Sequence, residues 1–242
     1  MHRFYADEAP TGELAPLSPE DVRHAQRVLR MQPGDAMELL FDGRRFAGVL
    51  AGMPNGELGC RITGELPTTE PALQITLYQG LPKAEKMDWI VQKAVELGAS
   101  RVVPVSMRRC VVQLDARDGT RKQERWQKIA REAAKQSGRG VIPTVGFLPD
   151  LAEAFNKANT AALPLFMYET GERETLRDAV ESAGNVASAA ILTGPEGGFE
   201  PFEAELARIM KLHICSMGPR IFRCETAPVA ALSALMYATG NM

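Results

Sequence analysis

The chain has 242 residues, 45% hydrophobic and 24% charged, with a formal net charge of −2. This is the balance of a globular protein with enough apolar side chains for a sizeable core. No apolar run reaches the roughly 18 residues of a membrane helix, and Met1 to Glu8 lacks the apolar stretch of a secretory leader, so a cytoplasmic protein without membrane contact is expected. Cys60, Cys110, Cys215 and Cys224 form no C-x-x-C pair and the three histidines are scattered, which predicts buried thiols and no metal site.

The small net charge hides an asymmetry. Residues 73–145 carry 14 basic and 7 acidic side chains, whereas residues 1–72 are net −4 and residues 146–242 net −5. A positive excess confined to one stretch is the footprint of a local polyanion partner.

In chain order, the first seventy residues read as a small β-rich unit. Two short segments, 36–41 and 45–50, flank Asp42-Gly43, a strong hairpin turn. One helix interrupts them: Ser18 is its N-cap, Pro19 its first residue, and Val22, Ala25, Val28 and Leu29 its inner face. His24 on this helix reads as a hydrogen-bonded structural residue. The run Pro67-Thr68-Thr69-Glu70-Pro71 reads as a linker.

Beyond Pro71 the period changes. Residues 73–79 form an apolar strand, and residues 85–97 place Met87, Ile90, Val91, Ala94 and Leu97 at helical spacing, closed by Gly98. A strand at 101–106 and a long helix at 120–137 follow. The helix turns Trp126, Ile129, Ala130 and Ala133 inward and Arg121, Arg125, Lys128 and Lys135 outward; Trp89 and Trp126 both read as core. Strands at 163–168, 189–193 and 212–217 alternate with helices at 174–182, 201–211 and 227–238. Strand alternating with helix predicts an α/β domain with a mostly parallel sheet covered on both faces.

Two segments carry chemistry. Thr193-Gly194-Pro195-Glu196-Gly197-Gly198-Phe199 and the stretch from Met217 to Ala227 each join a strand to a helix. In parallel sheets, ligands bind beyond the carboxyl ends of the strands. Glycines there bring backbone N–H and C=O groups close to a flat ligand. A tight turn is the simplest alternative. A phosphate cradle would need Lys-Ser/Thr after the glycines, and a dinucleotide fingerprint would follow the first strand with an acidic residue about 20 positions on; neither pattern is present.

Gly194-Pro195-Glu196-Gly197-Gly198-Phe199 with Glu203, followed by Gly218, Arg220-Ile221-Phe222-Arg223 and Glu225-Thr226-Ala227, resembles the SPOUT-class RNA methyltransferases. Within that class the chain is similar to the ribosomal RNA small subunit methyltransferase E family. The similarity runs through Arg3-Phe4-Tyr5, His24 with Val28-Leu29-Arg30 and Gly34, Lys83, Lys93, Glu96-Leu97-Gly98, Pro104, Arg109 to Val112, Glu132-Ala133, Gln136-Ser137, Arg139 and Pro143. Glu200, where the family usually has Ser, and Met217 and Phe222 depart from the pattern.

The resemblance implies a C-terminal SPOUT domain at 73–242 with a parallel sheet and a deep trefoil knot, a rarity among folds. It implies a PUA-like RNA-binding β-barrel at 1–70. It further implies a homodimer with each active site at the subunit interface, and S-adenosylmethionine-dependent methylation of a uridine N3 in 16S ribosomal RNA of the small subunit. The cofactor is expected at Tyr168, Leu192, Gly194, Gly198, Met217, Gly218, Ile221, Phe222, Arg223, Thr226 and Ala227.

Because N3–H is a weak acid, a cation that favours the uracil anion is needed; Arg223 is the first candidate and Arg139 the second. Glu225 and Glu196 are candidate proton acceptors, with loop or helix-end stabilisation as their alternative roles. Arg3, Lys83, Arg108, Arg109, Arg121, Arg125 and Arg139 are candidate phosphate partners. Two other readings stand beside this one: a SPOUT enzyme acting on tRNA ribose 2′-O, and a non-catalytic RNA-binding protein.

Overall fold

The computed structural model describes every residue except Glu172, and the side chain of Ala116 is likewise outside the description. The chain divides into two compact units, Met1–Glu70 with Ala134–Ile142, and Pro71–Ala133 with Pro143–Met242.

In the first unit, strands β1 (His2–Tyr5), β2 (Leu14–Pro16), β3 (Ala36–Phe41), β4 (Arg44–Gly52) and β5 (Leu58–Leu66) form one sheet in the order β1-β3-β4-β5-β2. Asp42 and Gly43 both take positive φ, the requirement of a primed hairpin turn between β3 and β4. In β4 the buried positions alternate through Phe46, Gly48 and Leu50, so one face of the strand meets a core that includes Phe4, Met37 and Leu39.

Helix α1 (Pro19–Arg23) starts as the sequence predicts, with the Ser18 side chain accepting the Asp21 N–H. It then widens into a π-helical turn over His24–Val28, closed by Leu29 N–H donating to His24 O. The extra residue in that turn rotates the following side chains off the 3.6-residue stripe. Ala25 stays buried, but Val28, expected inward, is 66% exposed. His24, expected to be hydrogen-bonded through its ring, is exposed and acts through its backbone carbonyl.

Within this unit Arg139 is buried. Its guanidinium lies 2.7 Å from the Glu70 carboxylate, and its carbonyl accepts the Tyr5 hydroxyl at 2.7 Å. Removing one member of such a pair strands the other in a poorly solvated place. Arg139→Ala is therefore expected to lower unfolding stability by about 3 kcal/mol, read as a lower urea midpoint. An unchanged midpoint would mean that the pair is not structural.

The second unit is a seven-stranded parallel sheet: β6 (Gln74–Gly80), β7 (Arg101–Val105), β8 (Thr144–Val145), β9 (Leu163–Met167), β10 (Glu174–Thr175), β11 (Ser188–Thr193) and β12 (His213–Ser216), in the order β10-β12-β9-β11-β6-β7-β8. All five residues of β9 are buried, as are the last five of β11. Successive side chains point to opposite faces, so both faces of the sheet are covered.

The helices are α2 (Lys86–Glu96), α3 (Ala116–Ser137), α4 (Leu151–Ala158), α5 (Leu176–Ala183), α6 (Pro201–Ile209) and α7 (Thr226–Ala238). Helix α2 buries Met87, Ile90, Val91, Ala94 and Val95. Trp126 on α3 is 3% exposed, with its indole N–H on Asp88 Oδ1 at 3.1 Å, whereas Trp89, expected in the core, is 41% exposed. All four cysteines are buried and unpaired. Among the described residues no helix is long and apolar enough to cross a membrane, and no cluster of metal-ligating side chains occurs.

Candidate cofactor pocket

β12, β9 and β11 are neighbours in the sheet, so their carboxyl ends open on one place although they lie far apart in sequence. A cavity of about 410 Å³ sits there, inside the usual range for a small-molecule site. Its walls are the end of β9 and the segment after it (Met167, Tyr168, Glu169, Arg173), the end of β11 and its loop (Thr193 to Glu196, Gly198, Phe199) and the end of β12 and its loop (Cys215 to Cys224), completed by Ala227 of α7.

The floor is aromatic. Phe199 is buried with its ring 4.2 Å from that of Phe166, and Tyr168 continues the row at 5.9 Å from Phe166. The loop after β11 is pinned from below. The buried Gln79 side chain donates to Gly194 O at 3.0 Å and accepts the Thr193 hydroxyl at 2.6 Å. Gly198 has φ +66°, and a Cβ built there would lie 2.9 Å from Glu169 Oε1. The backbone thus comes close to the cavity where a side chain would fill it.

Glu200 does not cap α6 as serine would. The Glu203 carboxylate takes the Glu200 N–H at 2.7 Å, and Glu200 itself pairs with Arg109, whose guanidinium also donates to Gly197 O at 3.0 Å.

A charged cluster adjoins the cavity and includes two of its lining residues, Glu196 and Cys224. Lys86 Nζ is 3.1 Å from Glu196 Oε1 and 3.0 Å from Glu225 Oε2, and the Cys224 thiol donates to Glu225 at 3.1 Å. The Lys83 backbone N–H donates to Glu196 at 3.1 Å. Bonds from the Cys224 thiol and Lys86 hold the Glu225 carboxyl down at about 2. Glu196 is also below the usual carboxylate range: burial raises it, but backbone N–H groups and Lys86 outweigh that. Burial pushes the Cys224 thiol up to about 12, so it stays protonated. The two lowered carboxylates contribute stability that is complete above their ordinary value of 4.5 and is lost on acidification below it, for Glu225 as pH falls toward about 2.

Of the residues expected around the cofactor, Tyr168, Gly194, Gly198, Met217, Gly218, Ile221, Phe222, Arg223 and Ala227 line this cavity. Leu192 is fully buried inside β11, and Thr226 lies outside the lining at the start of α7. Arg223 is exposed on the cavity wall, with no ion-pair partner among the described residues. Glu225 faces Lys86 and is not part of the wall. Arg139 belongs to the first unit, held by Glu70.

The expected phosphate partners divide by ion pairing. Lys83 and Arg108 are exposed, the latter over the Phe202 ring at 5.4 Å. Arg121 pairs with Asp118 yet remains 79% exposed. Arg125 pairs with Glu85 and Asp88, and Arg109 with Glu200. Arg3, in the first unit, pairs with Glu38 at 3.0 Å.

Glu169 and Lys86 are among the site residues for which the sequence predicts no role. Glu169 follows β9, and only the strand order brings it beside the glycine loop. Lys86 is the first residue of α2, where a cation has the wrong sign for the helix dipole. That mismatch is the sequence signal for carboxylate partners elsewhere.

A parallel sheet with a glycine-walled cavity over three adjacent strand ends defines a nucleotide-type cofactor domain. The profile of the RNA methyltransferase domain family matches residues 69–236, and that of the RNA methyltransferase PUA domain matches residues 17–63. The chain is 35% identical to the ribosomal RNA small subunit methyltransferase E of Bacillus subtilis, over 96% of this chain and 92% of that one. It is 29% identical to the Aquifex aeolicus protein of the same name, over 98% and 99%. The crystal structure of a ribosomal RNA small subunit methyltransferase E from Neisseria gonorrhoeae bound to S-adenosyl methionine superposes with a TM-score of 0.83, at 31% identity over 98% of this chain and 97% of that one. The chain belongs to the RNA methyltransferases, and within them to the ribosomal RNA small subunit methyltransferase E family.

Proposed function

We propose that this protein transfers the methyl group of S-adenosylmethionine to N3 of a uridine in 16S ribosomal RNA of the small subunit. The observation that carries the reading is the cavity over β9, β11 and β12, lined by Gly194, Gly198 and Gly218, where a Cβ at Gly198 would meet the Glu169 carboxylate on the same wall. That space suits an adenine read by backbone groups, and the aromatic floor suits its apolar face.

When bound, the cofactor supplies a sulfonium methyl that uracil N3 takes by in-line displacement, leaving a neutral thioether. The chain's part is alignment and charge management. Arg223, exposed on the wall without a carboxylate partner, stabilises the uracil anion. Glu225 and Glu196 are both engaged by Lys86, so the N3 proton passes to solvent hydroxide, which becomes water as the uracil anion forms ahead of methyl transfer. Arg139 serves the first unit structurally. Lys83, Arg108, Arg109, Arg121, Arg125 and Arg3 contribute phosphate contacts, and the first unit contributes RNA affinity. The same proposal includes a cytoplasmic homodimer and a trefoil knot in the second unit, supported by membership of the family.

The test is methylation of small ribosomal subunits from a strain lacking the modification, using the purified protein and labelled S-adenosylmethionine. Label at N3 of one uridine, with tRNA inert, is the expected result. Label on tRNA ribose, or RNA binding without any transfer, would replace this reading by one of the other two.

A further inference from the structure

Lys86 does not line the cofactor cavity, yet it touches three residues of the loops that do or that lead from them: Glu196 at 3.1 Å, Glu225 at 3.0 Å and the Cys224 thiol at 3.7 Å. Glu196 belongs to the loop after β11, and Cys224 and Glu225 to the loop after β12. These loops come from strands separated in the sheet by β9.

We propose that Lys86 is a positioning residue for cofactor binding: its ammonium, presented by the first turn of α2, ties the two glycine loops together by neutralising a carboxylate from each. The proposal rests on the cofactor reading given above.

Geometry makes the charge balance decisive. Both carboxylates touch the same nitrogen, so they are no more than about 6 Å apart. With the ammonium gone they repel, and the loops that carry them separate. The titratable groups that face the ammonium are Glu196, Glu225 and Cys224, and the thiol stays protonated near neutrality. A lysine at the first helical position also opposes the dipole of α2, so local helix stability does not account for it.

The test is calorimetric binding of S-adenosylmethionine to the full-length protein, Lys86→Met, and Lys86→Met combined with Glu225→Gln, each at pH 7.5 and pH 5. Lys86→Met is expected to bind about tenfold more weakly than the unaltered protein at pH 7.5. The deficit should shrink below about threefold at pH 5, where the two unneutralised carboxylates share a proton. Adding Glu225→Gln should relieve it at pH 7.5. Binding within twofold of the unaltered protein at pH 7.5 would overturn the proposal. So would a loss equal at both pH values and unrelieved by Glu225→Gln, which is the behaviour of general loosening. If Lys86→Met fails to fold, folding and binding by the double variant support the proposal, and failure of both overturns it. Absence of binding by the unaltered protein would overturn the cofactor reading itself and this proposal with it.

Discussion

Gly198→Val is expected to abolish measurable binding of S-adenosylmethionine, a loss of at least about 100-fold, or roughly 2.8 kcal/mol at 1.4 kcal/mol per decade. Two effects add. Gly198 sits at φ +66°, where a side chain, and a β-branched one most of all, is strained by about 1–3 kcal/mol. The new Cβ would also start 2.9 Å from Glu169 Oε1. The carboxylate end of Glu169 can swing away from a single methyl, so Gly198→Ala is expected to lose only about tenfold, close to the cost of strain alone. The two γ-methyls of valine have only the cavity to occupy. Gly184 supplies the control, since it also has φ +66° and a Cβ there would meet nothing within 4 Å. Gly184→Val should lower the melting temperature and leave cofactor affinity intact. Full affinity in Gly198→Val would place the ligand somewhere other than the cavity over β9, β11 and β12.

The contrast between these two glycines shows what the sequence makes legible. That Gly198 lies in a loop after an apolar strand follows from local pattern: a buried run, a turn, then a helix with Pro201 in its first turn. The parallel sheet follows in the same way, because strands buried on both faces read as continuous apolar runs. Local pattern does not carry strand order. β11 lies between β6 and β9, and β12 on the far side of β9, so the meeting of Glu169 with Gly198 has no signature along the chain. The 3.6-residue stripe misplaces Val28 because one π-helical turn adds a residue. It misplaces Trp89 because a large ring at helical spacing can still lie at the rim of the buried face. Helix α4 and strand β5 are not predicted, although Asp150 caps α4 by accepting the Ala152 N–H and Leu58, Cys60 and Ile62 alternate along β5; in both elements the period runs too briefly to stand out. Charge is the least legible of all. Arg139 and Arg223 look alike in sequence, yet Glu70 buries one and the other stands open on the cavity wall.

That difference between the two arginines sets the second large effect. Arg223→Met is expected to lower kcat for uridine methylation by about 100- to 1,000-fold, the usual cost of removing a donor aimed at developing charge. Affinity for S-adenosylmethionine should fall by less than about threefold, because the sulfonium is a cation and gains nothing from a guanidinium beside it. The pH dependence separates this role from a purely steric one. A fixed positive charge beside the uracil favours its anion and so lowers the pH at which N3 loses its proton. Without that charge the ionisation moves to higher pH, and the profile of kcat/KM should shift toward alkaline pH, with the variant regaining part of its deficit there. Glu225, already ionised from about pH 2 upward, and Glu196, also lowered, add no step to the profile near neutrality. A profile of unaltered shape with a uniformly lower rate would mean that Arg223 shapes the wall without stabilising charge. A large loss of cofactor affinity in Arg223→Met would make it a cofactor ligand instead.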